Sequence, residues 1–216
     1  MSLLVYLSKE EDMVLELIQD YMDSNRTFKY EKIVPYIRNT FARTSRNINE
    51  TGIKSILEAL IEKKIIIQGS KLTKIIVLQN PNRRKIYNLI KNNPGLYLHR
   101  IIKILDLPNH VITWHLDILV KFGLVKKVFM DNHDVYFHPK VNPAEYFKTY
   151  ILSNPKCERI LTFIEFQGNG SEVTKTGISK TLKIHYNTVT KYLLKLEKLG
   201  FIKKEKVLHK VYYRLK

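Results

Sequence analysis

The residues of this sequence that are best suited to bind an anion are concentrated near its carboxyl end. They are Tyr186, Asn187, Thr188, Lys191, Lys195, Lys204, Lys206 and Lys210. Asn187, Thr188, Lys191 and Lys195 follow at spacings that place them along the outward side of one predicted helix, a side with no acidic residue, and Tyr186 flanks it. Amide, hydroxyl and ammonium groups in such an arrangement donate hydrogen bonds to oxygen and nitrogen acceptors and neutralise negative charge.

The positive charge of the chain is distributed unevenly. Its 216 residues include 37 basic and 20 acidic side chains, a net charge of +17, and 44% of the residues are hydrophobic. Residues 140–216 alone carry 16 basic and six acidic side chains, a net charge of +10, whereas residues 1–79 carry 12 and 10. A folded chain with such an excess typically meets a polyanion, so we expect the last third to bind it first.

An internal repeat defines the elements that must position these residues. Residues 101–127 align with residues 178–204 at a constant offset of 77 and without a gap. The matched pairs include Thr113 with Thr190, Leu116 with Leu193, and Gly123 with Gly200. The repeat therefore predicts two copies of one structural unit.

Each copy has the periodicity of three short helices followed by a β-hairpin. Apolar residues of the third helix recur at i, i+4 and i+7, a glycine follows it, and the period then changes to two. Three helices and a hairpin in about sixty residues are typical of a winged helix. The predicted fold class is mostly α with small β-hairpins (α+β).

The first third of the chain shows the same order of elements more faintly. The pattern predicts three helices and a hairpin formed by Ile65–Gln68 and Lys74–Leu78. We therefore expect three consecutive winged-helix domains. Their bounds are 1–79 for the first domain, 80–139 for the second, 140–154 for a helical linker and 155–216 for the third, which makes the main DNA contact.

The third helix of the middle copy has a different outward side. Shifted by 77, the positions of Asn187, Thr188, Lys191 and Lys195 hold His110, Val111, Trp114 and Ile118. This apolar side is expected to contact a partner or a neighbouring domain of the same chain rather than phosphate. In the first copy the matching residues are small and uncharged, which favours close approach of another helix and a role in assembly. They are Thr51, Gly52, Ser55 and Ala59.

The strings LDLPNHVITWHLDILVKFGLVKK and LKIHYNTVTKYLLKLEKLGFIKK resemble the recognition-helix region of winged helix-turn-helix transcriptional regulators of the arsenical-repressor-like and multiple-antibiotic-resistance-repressor-like kind. Two such units, joined by a Tyr/Phe-rich helix and an Asn-Pro step, are similar to tandem winged-helix regulators of archaea. The resemblance covers residues 80–216. It implies that Thr188–Lys191 and Val111–Trp114 hold recognition-helix positions, although His110, Val111 and Trp114 replace the expected polar readers. The metal-sensing cysteine pairs of some relatives are absent.

The sequence contains no pattern that indicates catalysis, a metal site or a cofactor. It has no P-loop and no dinucleotide-binding glycine motif, and Gly168–Ser171 is expected to be a turn. His110 and His115 are five residues apart, which does not suit two ligands on one helix face. Cys157 lies close to Lys156 and Arg159, so it is either a thiol with a lowered pKa or, more simply, a buried structural cysteine.

These patterns predict a sequence-specific transcriptional regulator that binds double-stranded DNA in the cytoplasm, is not an enzyme and has no membrane partner. The motif allows a homodimer, and three tandem units also allow a monomer. Two alternatives stay open. One is a winged-helix scaffold for protein–protein assembly, of the sorting-complex or polymerase-associated type, and the other is a non-specific nucleoid-type DNA binder.

Overall fold

A computed structural model describes residues 6–25, 27–43, 48–167 and 173–216. Its first helices are α1 (Lys9–Asn25), α2 (Tyr30–Arg43), α3 (Glu50–Glu62), α4 (Lys74–Val77) and α5 (Pro81–Asn92). The middle of the chain forms β1 (Leu96–Tyr97), α6 (Leu98–Leu105), α7 (Asn109–Lys121), β2 (Lys126–Met130) and β3 (His133–Phe137). The remaining elements are a 3-10 turn (Pro143–Glu145), α8 (Tyr146–Leu152), α9 (Pro155–Gln167), α10 (Lys175–Leu182), α11 (Tyr186–Lys198), β4 (Ile202–Val207) and β5 (Lys210–Leu215). The structure is therefore mostly helical with small antiparallel sheets.

The internal repeat is visible in the bounds of the helices. Both α6 and α10 contain eight residues and both α7 and α11 contain 13, and their first and last residues are related by the offset of 77. Gly123 and Gly200 follow α7 and α11 with φ angles of 65° and 78°. Because this left-handed conformation is open to glycine at little cost, the predicted helix ends are confirmed.

The first copy shares this helix end although it lacks the glycine. Lys64, two residues after the end of α3, takes a φ of 53°. The helices predicted in this region are confirmed by α1, α2 and α3. The conformation of Lys64 shows that the backbone path after the third helix is common to all three copies.

The predicted hairpin of the first copy is wrong. Lys74–Val77 forms a helical turn, and residues 65–78 contain no strand. The backbone of this region bonds elsewhere, because Phe28 N donates to Ser70 O and Phe28 O accepts from Gly69 N. A short apolar run such as Lys74–Leu78 fits either a strand or a helix, and here the neighbouring loop decides.

Contacts divide the chain into two compact units. One contains Met1–Asn88 and Pro108–Val125, and the other contains Leu89–Leu107 and Lys126–Lys216. In the first unit the apolar sides of α1, α2 and α3 form one core that includes Val14, Ile18 and Leu57. The domain bounds at 79, 139 and 154 stay a prediction.

The second unit has a single large core. Val135 and Phe137 of β3, Tyr150 of α8 and the apolar stripes of α9, α10 and α11 are buried together. Strands β1, β3 and β2 form one antiparallel sheet in that order, and β4 pairs with β5 in a separate hairpin. The two predicted hairpins and the predicted helix at Pro143–Leu152 are thus confirmed. The turn expected at Gly168–Ser171 lies outside the described residues.

Of the helices that the structure describes, none combines the length and the apolar character that a membrane span requires.

Candidate functional site

The start of α11 is held by hydrogen bonds to the preceding turn. Lys183 has a φ of 52° between α10 and α11, and Ser179 Oγ donates to Ile184 O at 2.8 Å. Arg159 Nη2 of α9 donates to Leu182 O at 2.7 Å, which fixes the end of α10. His185 then caps α11, because its Nδ1 accepts from Asn187 N at 3.3 Å. The local sequence therefore fixes where α11 begins.

The buried side of α11 is the predicted one. Val189, Leu193 and Leu196 are fully buried, and Tyr192 lies beside them. Tyr186, Asn187 and Lys191 are exposed and Thr188 is half-buried. The structure thus leaves most of the predicted binding side chains accessible on one helix.

This surface includes Thr190 and Leu194, which are not among the predicted binding residues. An open groove of about 500 Å³ along α11 is lined by Asn187, Thr190, Lys191, Leu194 and Lys195. Leu194 is 59% exposed within it. The signal was present in the adjacent pair Leu193-Leu194, since only one of two consecutive leucines can face the core of a helix.

Lys195 is placed differently from the other predicted residues. Its side chain is only 14% exposed, and its ammonium group binds the Asp131 carboxylate. The Nζ atom also lies 5.7 Å from the centroid of the Phe147 ring and 6.0 Å from that of Tyr150. The outward side of α11 has no acidic residue of its own, but the Asp131 carboxylate approaches it from 64 residues away in the chain.

Asp131 stays ionised in this environment. Burial alone would raise its pKa, but the hydrogen bond and charge of Lys195 and the charge of Lys191 outweigh burial and hold the pKa below the ordinary 3.8. Lys191 Nζ lies 3.7 Å from Asp131 Oδ2. One carboxylate oxygen thus faces two ammonium groups of α11.

The thiol near this ion pair is a buried structural cysteine. Cys157 is fully buried, and burial raises its pKa to about 12. A reactive thiol needs a lowered pKa and solvent access. The first of the two readings of Cys157, a thiol with a lowered pKa, is therefore wrong.

The β4–β5 hairpin presents its lysines on two faces. Residues opposite each other across a hairpin share a face, and the face alternates along each strand. Lys204 pairs with Tyr213 and Lys206 with Val211, so these two lysines share one face, whereas Lys210 lies opposite Val207 on the other. Across the described part of the chain, no acidic side chain forms an ion pair with these three lysines.

The same hairpin contains a local charge cluster. Glu205 pairs with Lys203 at 2.7 Å and with Arg214 at 3.4 Å. Glu205 lies on the same face as Lys210, so the face of Lys204 and Lys206 holds no acidic side chain of the hairpin.

The outward side of α7 is partly exposed. Trp114 is 57% exposed, His110 is exposed, and Val111 and Ile118 are half-buried. Their role as a partner or interdomain surface stays a prediction.

Buried polar groups lie beside Trp114, and no sequence pattern indicates them. The Arg83 guanidinium lies 5.9 Å from the Trp114 ring centroid, and the ring centroids of Trp114 and His115 are 4.7 Å apart. Arg83 and His115 are 6% and 3% exposed. Burial, with a smaller contribution from the charge of Arg83, lowers the pKa of His115 below 6.5.

The first copy has a surface of a third kind. Ser55 and Ala59 of α3 line an open pocket of about 490 Å³, together with Glu11 and Lys63, whose carboxylate and ammonium groups are 2.6 Å apart. Small side chains and an internally neutralised ion pair leave little net charge there.

In the part of the chain that the structure describes, no three or more histidine, cysteine or acidic side chains are grouped as a metal site would need.

No protein-family model matches the chain. The chain is 30% identical over 209 residues to an uncharacterized HTH-type transcriptional regulator of Methanocaldococcus jannaschii. The alignment covers 94% of this chain and 52% of that protein, so the chain spans about half the length of the relative it matches.

Proposed function

We propose that this protein is a DNA-binding transcriptional regulator and that α11 with the β4–β5 hairpin is its main DNA contact. The observation that carries the proposal is the exposed side of α11, where Asn187 and Lys191 lie on a helix whose start is fixed by the preceding turn. Helices in this position of a helix-turn-helix enter the major groove. The similarity to a regulator of the helix-turn-helix type supports the same class.

In this proposal residues 80–139 and 155–216 are two winged helices, and the first copy is a helical unit without a wing. Lysine–phosphate contacts supply most of the affinity, so binding weakens steeply with salt. Tyr186, Asn187 and Thr188 at the start of α11 read base edges by hydrogen bonding. Lys204 and Lys206 hold phosphates beside the groove.

Selection of bound fragments from random duplexes, followed by fluorescence anisotropy with the selected and a scrambled duplex, tests this function. We expect the selected duplex to bind about 10³-fold more tightly at physiological salt. Equal binding of both duplexes would identify a non-specific DNA binder, and absence of binding would favour the protein-assembly alternative.

A charge reversal locates the contact. Lys204→Glu with Lys206→Glu should weaken binding by about 100-fold or more, because two phosphate contacts become repulsive. The matched control is Lys29→Glu with Lys32→Glu, which makes the same change of charge on exposed residues at the start of α2. If both double variants lose affinity equally, only the total charge matters and the proposed contact is wrong.

A further inference from the structure

Asp131 is at the tip of the β2–β3 hairpin, in a turn that is well defined by its backbone. Met130 and His133 form the last pair of the hairpin, and Asp131 and Asn132 between them have φ angles of 51° and 62°. Two consecutive left-handed residues are what a two-residue type I′ turn requires, and Asp and Asn are among the residues that tolerate it. The position of the Asp131 carboxylate is therefore set by the hairpin.

This carboxylate occupies the place of an anion on α11. Its Oδ2 atom binds the ammonium group of Lys195 and lies 3.7 Å from that of Lys191. Lysine ammonium groups hold a phosphate oxygen in DNA by the same charge-assisted hydrogen bonds. Both lysines belong to the surface to which a duplex binds in the proposed function.

The pair is also partly shielded from water. Lys195 packs its ammonium group near the rings of Phe147 and Tyr150, and the side chain of Asp131 is 26% exposed. Ion pairs that are partly removed from solvent are screened less by salt than exposed ones. A phosphate that approaches α11 must therefore displace a held counterion.

We propose that Asp131 is an internal competitor of DNA phosphate for Lys191 and Lys195, and that it lowers the affinity of this protein for duplex DNA. The inference rests on the proposed function. It assigns a role to a residue outside α11, in the hairpin of the other copy.

The experiment compares Asp131→Asn with Asp134→Asn in the full chain. Asp134 is on the same hairpin and pairs with Lys127 at 2.8 Å, so its replacement makes the same change of charge without freeing a lysine of α11. By anisotropy with a selected duplex, we expect Asp131→Asn to bind about 10-fold more tightly than wild type. The slope of the logarithm of the binding constant against the logarithm of the salt concentration should become steeper by about one, because one more phosphate contact forms. Asp134→Asn should stay within about 2-fold.

The outcomes separate the inference from the function. The proposed competition is wrong if wild type binds DNA and Asp131→Asn binds no more tightly than Asp134→Asn, or more weakly than wild type. The ion pair of Asp131 and Lys195 would then only stabilise the fold. If neither wild type nor any variant binds a duplex, the proposed function fails and the inference fails with it.

A second pair of variants tests the proposal if Asp131→Asn does not fold. The replacement of Asp131 leaves the mostly buried ammonium group of Lys195 without its partner. In Lys195→Met the unbranched side chain keeps its packing on the two rings, and Asp131 faces Lys191 alone. Adding Asp131→Asn to this variant should tighten DNA binding by about 3-fold through Lys191. Unchanged or weaker binding of the double variant overturns the proposal.

Discussion

Helices α7 and α11 have the same length and the same position in their copies, but they present different surfaces. Where α11 carries Lys191, α7 carries Trp114, and where α11 carries Asn187, α7 carries His110. Their buried stripes are nevertheless equivalent, because Leu116 and Leu193 are both fully buried. The repeat thus keeps the packing of the unit and changes only what it offers to a ligand.

The difference extends to the hairpins that follow. Asp131 at the tip of the β2–β3 hairpin corresponds to Leu208 at the tip of the β4–β5 hairpin. The first tip is acidic and binds α11, whereas Leu208 is 86% exposed. One hairpin therefore supplies a counterion inside the molecule, and the other is free to approach a ligand.

The largest expected effect tests the shared part of the two copies. Leu116→Ala and Leu193→Ala should each lower the free energy of unfolding by about 3 kcal/mol, because each leaves a cavity in a close-packed core. Urea denaturation followed by circular dichroism measures this. The control is Leu194→Ala, the exposed neighbour, which should change the free energy by about 0.5 kcal/mol or less. A large loss in only one copy would contradict the equivalence of the two helices.

The next effect tests the part that differs. Lys191→Gln should weaken binding of a selected duplex by about 10-fold and reduce the salt dependence by about one ion, because one phosphate contact is lost. Trp114→Gln, at the equivalent position of α7, should leave the affinity within about 2-fold. Anisotropy titrations at several salt concentrations give both quantities. A larger loss from Trp114→Gln would assign DNA binding to the middle copy.

Most of the fold could be predicted from the sequence, because it depends on local patterns. The stripe of Val189, Leu193 and Leu196 and the glycines after α7 and α11 are signals within a few residues of the element that they define. The hairpin expected in the first copy was wrong because the local pattern there is ambiguous. Its short apolar runs carry no local information that distinguishes a strand from a helical turn.

The candidate site was predictable only in part. Asn187 and Lys191 follow from the periodicity of one helix, whereas the partner of Lys195 depends on the approach of a residue 64 positions away. A single sequence contains no periodic signal for such a contact. The burial of Arg83 and His115 likewise depends on tertiary packing.

A smaller effect tests the helix ends. Gly200→Ala should lower the free energy of unfolding by about 1 kcal/mol, because alanine is strained at a φ of 78° even though nothing lies within 4 Å of the added carbon. Lys64→Gly should raise it by up to about 1 kcal/mol, since Lys64 takes the same conformation without being glycine. Thermal denaturation of both variants measures the effects. A loss of stability in Lys64→Gly would show that the first copy does not follow the rule of the other two.

The smallest effect concerns acidification and distinguishes the cores of the two copies. His115 of α7 corresponds to Tyr192 of α11, and both are buried. Burial lowers the pKa of His115 below its ordinary 6.5 and raises that of Tyr192 to about 12, so only His115 changes its charge near neutral pH.

The sign of the effect follows from proton binding. At a pH between the lowered pKa of the folded state and 6.5, the unfolded chain binds more protons at His115, so the stability from the neutral side chain is present above pH 6.5 and is lost as the pH falls below it. His115→Gln should therefore lose less stability than wild type between pH 7.5 and pH 5.5 in urea denaturation. His110→Gln, an exposed histidine on the same helix, should behave like wild type. If the two variants show the same dependence on pH, His115 does not control it, because burial is the property that distinguishes these two histidines.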